Sequence, residues 1–477
     1  MTHTKHNRFY IVTLGCPKNQ VDSEGIGEQL TDHGYRPVGR PERADYVIVN
    51  TCGFLQAARR EAVDTLRELA AARRPGQQLI AAGCLAQRMG VELAREVPGL
   101  DGIIGVRSWP DMPALLQQLA TRAARPREPR GWDEPLFHRP DTGSVSAHSL
   151  VVGDVESVPL RRTGQGKRAS AYLKIGDGCS ARCAFCTIPA IKGPARSRPR
   201  EFILHEARAL ANQGAGEIIL IAQDTTSYGR DRGERDGLPA LIEDILGVVP
   251  DLRWLRLMYT YPGHVSGHLI EVMAAHAQVC RYLDVPVQHG HPDTLRRMGR
   301  PHDVKRMLRW IEALRAAMPD IAVRTSLIVG YPGETEDEFR GLLDFMQAAR
   351  FDRAGVFPYS REPGTPAHDM LDQVPDEVRQ ARYERAMEHQ QAISLVSNQV
   401  QVGRSLDVLV EGCGDGISVG RSYRDAPEVD GLVLFQREHP VNTWLKARIT
   451  GATAYDLIAI GDQQSAITLQ VPDRVDS

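Results

Sequence analysis

Three short apolar runs each finish at a cysteine, and no other feature of this chain constrains its fold as tightly: Tyr10-Ile11-Val12-Thr13-Leu14-Gly15-Cys16, Tyr46-Val47-Ile48-Val49-Asn50-Thr51-Cys52 and Leu79-Ile80-Ala81-Ala82-Gly83-Cys84. Such near-continuous, β-branched runs suit strands covered on both faces. Between them lie helix-like stretches at residues 22–33 and 55–74, the second closed by Pro75-Gly76. Strand and helix therefore alternate as in a parallel α/β layer, whose strands all end at one edge, where ligands bind. Thiols 36 and 32 residues apart in sequence then converge. Any one of them alone would read as a small buried side chain. Three at the same structural position, each behind a Gly or Thr, read as ligands of one centre. Zinc usually takes a fourth Cys or His, and none stands beside these loops. Three thiolates suit an iron–sulfur cluster with one iron open to an outside ligand.

A second triad is tighter. The strand-like run 171–175 leads into Gly176-Asp177-Gly178-Cys179-Ser180-Ala181-Arg182-Cys183-Ala184-Phe185-Cys186, where CxxxCxxC spacing puts three thiolates in one loop, again one short of a closed tetrahedral site. A 4Fe–4S cluster so held leaves its fourth iron free to chelate the amino and carboxylate groups of S-adenosylmethionine, whose carbon–sulfur bond one electron can then break. On these residues the segment resembles the radical S-adenosylmethionine superfamily, with Phe185 at the usual aromatic position before the last cysteine. Strand-like runs continue at 217–222, 254–258, 282–287, 322–329 and 354–358, separated by amphipathic segments such as 201–213, 304–318 and 336–350, which predicts a (β/α)6 partial TIM-like barrel. The carboxyl-end loops of such barrels build the site. Cofactor contacts are expected from Phe185, Gln223, Asp224, Gln288, Gly330 and Glu334, beside the metal ligands Cys16, Cys52, Cys84, Cys179, Cys183 and Cys186. No catalytic acid or base is singled out.

The 477 residues allow roughly three domains of ~150 residues. The pattern changes place them at 8–120 (α/β domain), 168–397 (barrel) and 398–470, with 121–167, rich in Arg, Pro, Gly and Ser, as a linker. The last segment holds alternating runs at 406–410, 417–423, 431–435, 444–449 and 457–460, a small antiparallel β-barrel. Barrels of this size often bind RNA, but from Leu395 onward 7 Lys plus Arg stand against 11 Asp plus Glu. That acidic sign disfavours a phosphate backbone and favours a basic partner. Across the whole chain 58 Lys plus Arg nearly balance 60 Asp plus Glu, so no global basic field announces nucleic acid. No apolar run reaches the ~20 residues of a membrane-spanning helix, and the first residues lack the apolar stretch of a secretory signal. A cytoplasmic protein without a membrane partner is expected. Eight cysteines are too few for a disulfide scaffold of this length. Cys280, in an apolar strand, reads as core packing, and Cys413, in a Gly-rich turn, as incidental.

The order of three-cysteine α/β domain, CxxxCxxC barrel and small terminal β-barrel resembles the methylthiotransferase family of radical S-adenosylmethionine enzymes over nearly the whole chain, the last barrel then being of the TRAM type. One branch of that family thiomethylates an adenosine of tRNA, the other the β-carbon of an aspartate in a small-subunit ribosomal protein, uS12. Three segments resemble the ribosomal-protein branch: Leu14-Gly15-Cys16-Pro17-Lys18-Asn19 with Val21-Asp22-Ser23-Glu24, Gln223-Asp224-Thr225-Thr226-Ser227-Tyr228-Gly229, and Gly420-Arg421-Ser422-Tyr423-Arg424-Asp425 through Gly431. The resemblance implies two 4Fe–4S clusters. One, on Cys16, Cys52 and Cys84, would present the sulfur that S-adenosylmethionine methylates. The other, on Cys179, Cys183 and Cys186, would cleave a second molecule to a radical that takes hydrogen from the unactivated β-carbon. It implies as partners the ribosomal protein or the ribosomal subunit, and a low-potential electron donor such as flavodoxin or ferredoxin. The alternatives are a tRNA adenosine substrate and, from another class, a zinc-stabilised RNA-binding module without catalysis.

Overall fold

Covered on both faces, the apolar runs near the N-terminus form the middle of a parallel sheet. The computed structural model describes residues 7–123, 136–137 and 169–461; most of the expected 121–167 linker and residues 462–470 lie outside them. Strands β1 (Arg8–Thr13), β2 (Arg36–Pro37), β3 (Tyr46–Thr51), β4 (Gln78–Ala82), β5 (Gly102–Gly105) and β6 (Leu136–Phe137) lie in the order β2-β1-β3-β4-β5-β6, every pair parallel. β3 is buried at every residue. Its Ile48, with Ile80 and Ile104, packs under helices α1 (Pro17–Asp32) and α5 (Met112–Ala123), while Val47 and Val49 pack under α2 (Gln56–Ala72), α3 (Gly83–Met89) and α4 (Val91–Glu96). The sheet has twice the strands the sequence pattern reveals, because β2, β5 and β6 span only 2, 4 and 2 residues. Helix α1 starts at Pro17, five residues before the expected Asp22. Proline at the first helical position has the helical φ built in and lacks only an N–H that would have had no partner.

The central region realises the six β/α units. Strands β7 (Ser170–Lys174), β10 (Glu217–Ile221), β11 (Trp254–Leu257), β12 (Val279–Asp284), β13 (Ala322–Val329) and β14 (Arg353–Pro358) are ordered β14-β13-β12-β11-β10-β7, all parallel. A two-stranded ribbon, β8 (Gly176–Asp177) with β9 (Arg196–Ser197), flanks the cysteine loop and the short helix α6 (Ile188–Lys192). Helices α7 (Arg200–Asn212), α8 (Gly237–Val248), α9 (Gly267–Ala275), α10 (Pro292–Arg297), α11 (Val304–Ala317) and α12 (Glu336–Ala349) follow, and α13 (Asp376–Gln399) closes the domain. Residues Tyr172, Ile219, Ile221, Trp254 and Tyr282 of the barrel form one apolar cluster with Ile26 and Ile48 of the N-terminal layer and with Trp444 of the C-terminal one.

That C-terminal layer is a closed five-strand barrel of β15 (Ser405–Gly414), β16 (Ile417–Ser422), β17 (Val433–Phe435), β18 (Trp444–Ala452) and β19 (Leu457–Gly461). Its pairs are antiparallel except β17 with β19, which run parallel. It docks under the amino ends of the central strands. Arg421 and Arg256 both bind Glu217 at 2.7 Å, Tyr282 donates its hydroxyl to Asp430 at 2.6 Å, and the Trp254 and Trp444 rings meet edge-on at 4.5 Å. Arg421, Arg424 and Asp425 are buried in this joint, as is the Asp430 carboxylate, two positive charges against two negative. No described helix is long and apolar enough to cross a membrane.

Candidate functional site

The three N-terminal cysteines meet because their loops carry glycine where they touch. A Cβ on Gly15 would stand 2.7 Å from Cys52 Cβ, one on Gly53 2.7 Å from Leu85 Cα, and one on Gly83 2.3 Å from Asn50 Oδ1. Gly15 and Gly83 also have φ near +93°, which side chains other than glycine rarely adopt. Asn19 ties the loops together. Its Nδ2 donates to the Leu14 carbonyl at 2.9 Å and the Thr51 carbonyl at 3.2 Å, and its Oδ1 accepts from the Cys84 thiol at 3.8 Å. Asn50 answers with a 2.8 Å bond to the Asn19 carbonyl, and the Thr51 hydroxyl reaches the Ala82 carbonyl at 2.6 Å. Cys84 sits in the first turn of α3 rather than at the end of β4, and is buried, Cys52 half-buried and Cys16 exposed.

In the barrel loop Ala181 N–H points at Cys179 Sγ and Ile188 N–H at Cys186 Sγ, both at 3.4 Å, while Arg300 Nη1 lies 3.6 Å from Cys183 Sγ. The loop is pinned behind by Ala184 N–H on the Met298 carbonyl and Ala367 N–H on the Ala184 carbonyl, each 2.9 Å. Gly178, at φ +74°, lets the chain pass so close to Pro194 that a Cβ would sit 2.1 Å from its carbonyl oxygen. Burial pushes the Cys84 and Cys186 thiols up to about 12, and those of Cys52 and Cys179 upward too. Burial raises the core Cys280 thiol as far, so what sets the two sites apart is their donor set, three cysteines each, which suits a cationic centre.

The N-terminal layer meets the barrel beside the cysteine loop, where Cys84 packs with Ile191. Lys174 and Lys192, from the barrel side, grip Asp22 of α1 and Asp177 of β8: Lys174 lies 2.6 Å from Asp22 and 2.8 Å from Asp177, and Lys192 2.9 Å from Asp177. Burial alone would raise the Asp177 carboxyl, but the two ammonium groups hold it well below the carboxylate range. Arg88 of α3 pairs with Glu362 at 3.1 Å, and Arg107 donates to the Ile191 carbonyl at 3.1 Å. The carboxyl edge of the N-terminal sheet thus covers the barrel mouth.

The remaining expected contacts fall around that mouth with different duties. Phe185 packs half-buried against Met298, Tyr331 and Tyr359. Gln223 is half-buried and its Oε1 has no hydrogen-bond partner among the described residues, which suits an incoming ligand. Asp224 binds His264 at 2.8 Å and the Thr226 hydroxyl. Gln288 takes φ +75° while its N–H and C=O bond to Ser326 and Ile328, so its backbone extends the sheet edge. Gly330 permits the close approach of Arg379, whose Cγ would lie 2.1 Å from a Cβ there. Glu334 is buried, accepts from the Tyr331 N–H at 3.0 Å and pairs with Arg382 at 3.2 Å; burial lifts its carboxyl to about 7. Gly330 and Glu334 thereby build the turn. His289, beside Gln288, is fully buried, and burial lowers its imidazole to about 3. Cys280 lies in the core of β12 and Cys413 on the exposed end of β15, apart from either triad. Asn19, Asn50 and Lys18 are the site residues that cysteine spacing does not reveal; their signal was their place within the Leu14–Asn19 and Asn50–Cys52 wording.

Three family profiles match the chain in order: the uncharacterised protein family UPF0004 over residues 8–105, the radical SAM superfamily over 173–346 and the TRAM domain over 402–460. The ribosomal protein uS12 methylthiotransferase RimO of Chloroflexus aurantiacus is 50% identical over 455 residues, covering 94% of this chain and 98% of that protein. The RimO of a Roseiflexus species is 49% identical over 456 residues, covering 94% and 96%. Among solved structures, the radical S-adenosylmethionine methyltransferase TsrM of Kitasatospora setae superposes with a TM-score of 0.53 at 16% identity, over 87% of this chain and 77% of that one, a likeness of fold.

Proposed function

The chain belongs to the ribosomal protein uS12 methylthiotransferase family, RimO, and on that premise we propose how its residues divide the work of placing a methylthio group on the β-carbon of a uS12 aspartate. The observation that carries the reading is that the layer bearing Cys16, Cys52 and Cys84 is bound to the barrel beside the loop of Cys179, Cys183 and Cys186, through Asp22 with Lys174 and through Cys84 packed with Ile191. In this reading Cys179, Cys183 and Cys186 hold one 4Fe–4S cluster and Cys16, Cys52 and Cys84 a second. When bound, a reduced cluster on the barrel loop supplies the electron that cleaves S-adenosylmethionine to methionine and a 5′-deoxyadenosyl radical, chemistry no side chain provides.

The chain's own contribution is position, charge and exclusion of water. The Ala181 and Ile188 amides and the Arg300 guanidinium point at the barrel thiols and stabilise them as anions. Gln223, with its unpartnered oxygen, and Phe185 are placed to meet the cofactor. The Asp22, Asp177, Lys174 and Lys192 quartet locks the lid formed by the N-terminal layer to the barrel, fixing the distance between the two triads. Because an aspartate β-carbon carries a C–H bond that is hardly acidic, no side chain here need act as a general base. The working place is the cytoplasm, where ribosomal protein is found, and the electrons come from a donor of the flavodoxin or ferredoxin class.

The test is anaerobic reconstitution with iron, sulfide, reductant and S-adenosylmethionine, in parallel with uS12 and with tRNA. The expected outcome is 5′-deoxyadenosine together with a methylthio group on a uS12 aspartate by mass spectrometry. Methylthiolation of tRNA alone, or colourless protein holding stoichiometric zinc, would reject the reading.

A further inference from the structure

We propose that Lys18 receives the side-chain carboxylate of the substrate aspartate, an inference that rests on the reaction given above. Lys18 is the second residue of α1, two positions beyond Cys16, yet its ammonium leaves the N-terminal layer and lies 3.1 Å from the centroid of the Tyr259 ring, on the loop after β11 at the barrel mouth. The side chain is 8% exposed. Among the described residues no hydrogen bond or ion pair ends on this ammonium. The carboxylate beside the Tyr259 backbone, Asp284, and Asp177 of β8 are both already taken. Asp284 binds Arg324 at 2.8 Å and the Tyr259 N–H at 3.0 Å, while Asp177 is shared between Lys174 and Lys192.

A buried cation without a carboxylate of its own is costly until an anion completes it. Lys18 stands two residues from Cys16 and over the mouth loop that carries Tyr259, the side from which the target aspartate enters in this reading. Aspartate brings a carboxylate one bond away from its β-carbon, and an adenine brings no anion at all. Among the described residues no hydrogen bond joins Lys18 to Cys16, two residues back, and a role in holding the N-terminal centre is the rival outcome.

The experiment compares cluster-loaded wild type with Lys18→Met, which keeps the apolar stem over Tyr259, and with Lys18→Arg, which keeps the charge. The probes are full-length uS12 and uS12 whose target aspartate is replaced by asparagine, bound anaerobically and followed by fluorescence anisotropy. Wild type is expected to prefer the aspartate form by about tenfold or more, as a charge-assisted contact in a buried site should give. Lys18→Met should bind both forms alike, with iron, labile sulfide and melting temperature unchanged, and Lys18→Arg should recover part of the preference. The proposal is overturned if Lys18→Met keeps the wild-type preference, or if it sheds iron or sulfide from the N-terminal triad, which assigns Lys18 to that centre. Equal binding of both forms by wild type sinks the inference alone; no binding of either form sinks the underlying reading with it.

Discussion

Replacing Glu217 by Gln removes the negative charge that two guanidinium groups, themselves 0–1% exposed, share at the floor of the barrel. Burial by itself would raise the Glu217 carboxyl, but Arg421 and Arg256 bring it down to about 2 from an ordinary 4.5. That difference is worth about 3 kcal/mol of folding stability at neutral pH, and breaking a buried pair by removing one partner costs roughly 3–5 kcal/mol, here at the lower end because Arg421 keeps Glu411 at 2.7 Å while Arg256 loses its carboxylate. Both routes give the same order. Since Arg421 belongs to the C-terminal barrel and Glu217 to the central sheet, the loss should fall on their docking. Urea unfolding followed by tryptophan fluorescence reads it directly, because Trp254 and Trp444 meet edge-on across the same joint. The variant should show an earlier transition in which this signal changes before the central barrel unfolds. A depressed carboxyl stabilises fully above its unfolded value and loses that effect as pH falls toward its folded one. The gap between wild type and variant should therefore be complete above about pH 5 and close as pH drops from 4.5 toward about 2. Coincident unfolding curves at pH 7, within about 0.5 kcal/mol, would refute the reasoning.

Substituting Cys84 by Ser should lower iron and labile sulfide by one cluster's share, while Cys280→Ser, altering a core thiol apart from both triads, should leave both unchanged; elemental analysis after anaerobic loading decides. Gly178→Ala forces a Cβ to within 2.1 Å of the Pro194 carbonyl at a φ of +74°. The cysteine loop must shift, and the barrel cluster should be lost from the absorption and electron paramagnetic resonance spectra while the N-terminal one persists. Asn19→Ala removes the clamp across the Leu14, Thr51 and Cys84 positions. It should weaken iron retention at the N-terminal triad against a chelator about tenfold or more, the scale seen when groups supporting metal ligands are removed.

Cysteine spacing and hydrophobic period carried most of this protein's architecture by themselves. Runs of β-branched residues that end at a thiol can only be covered strands with their ends at one edge, and one strand-like run before a CxxxCxxC loop with five after it leaves little but an open β/α barrel. The pattern was silent where elements were too short to have a period, as in β2, β5, β6 and the β8–β9 ribbon. It misplaced the start of α1 because Pro17 was not read as a first helical residue. What it could not hold was any relation between distant segments. That Gly15, Gly53 and Gly83 exist to let three loops touch, that Asp22 meets Lys174 across a domain junction, that Lys18 lies over Tyr259, and that Glu217 anchors Arg421 are outcomes of packing. Local periodicity depends on neighbours in the chain, whereas these contacts join residues scores to hundreds of positions apart. Only the folded layers bring them within reach.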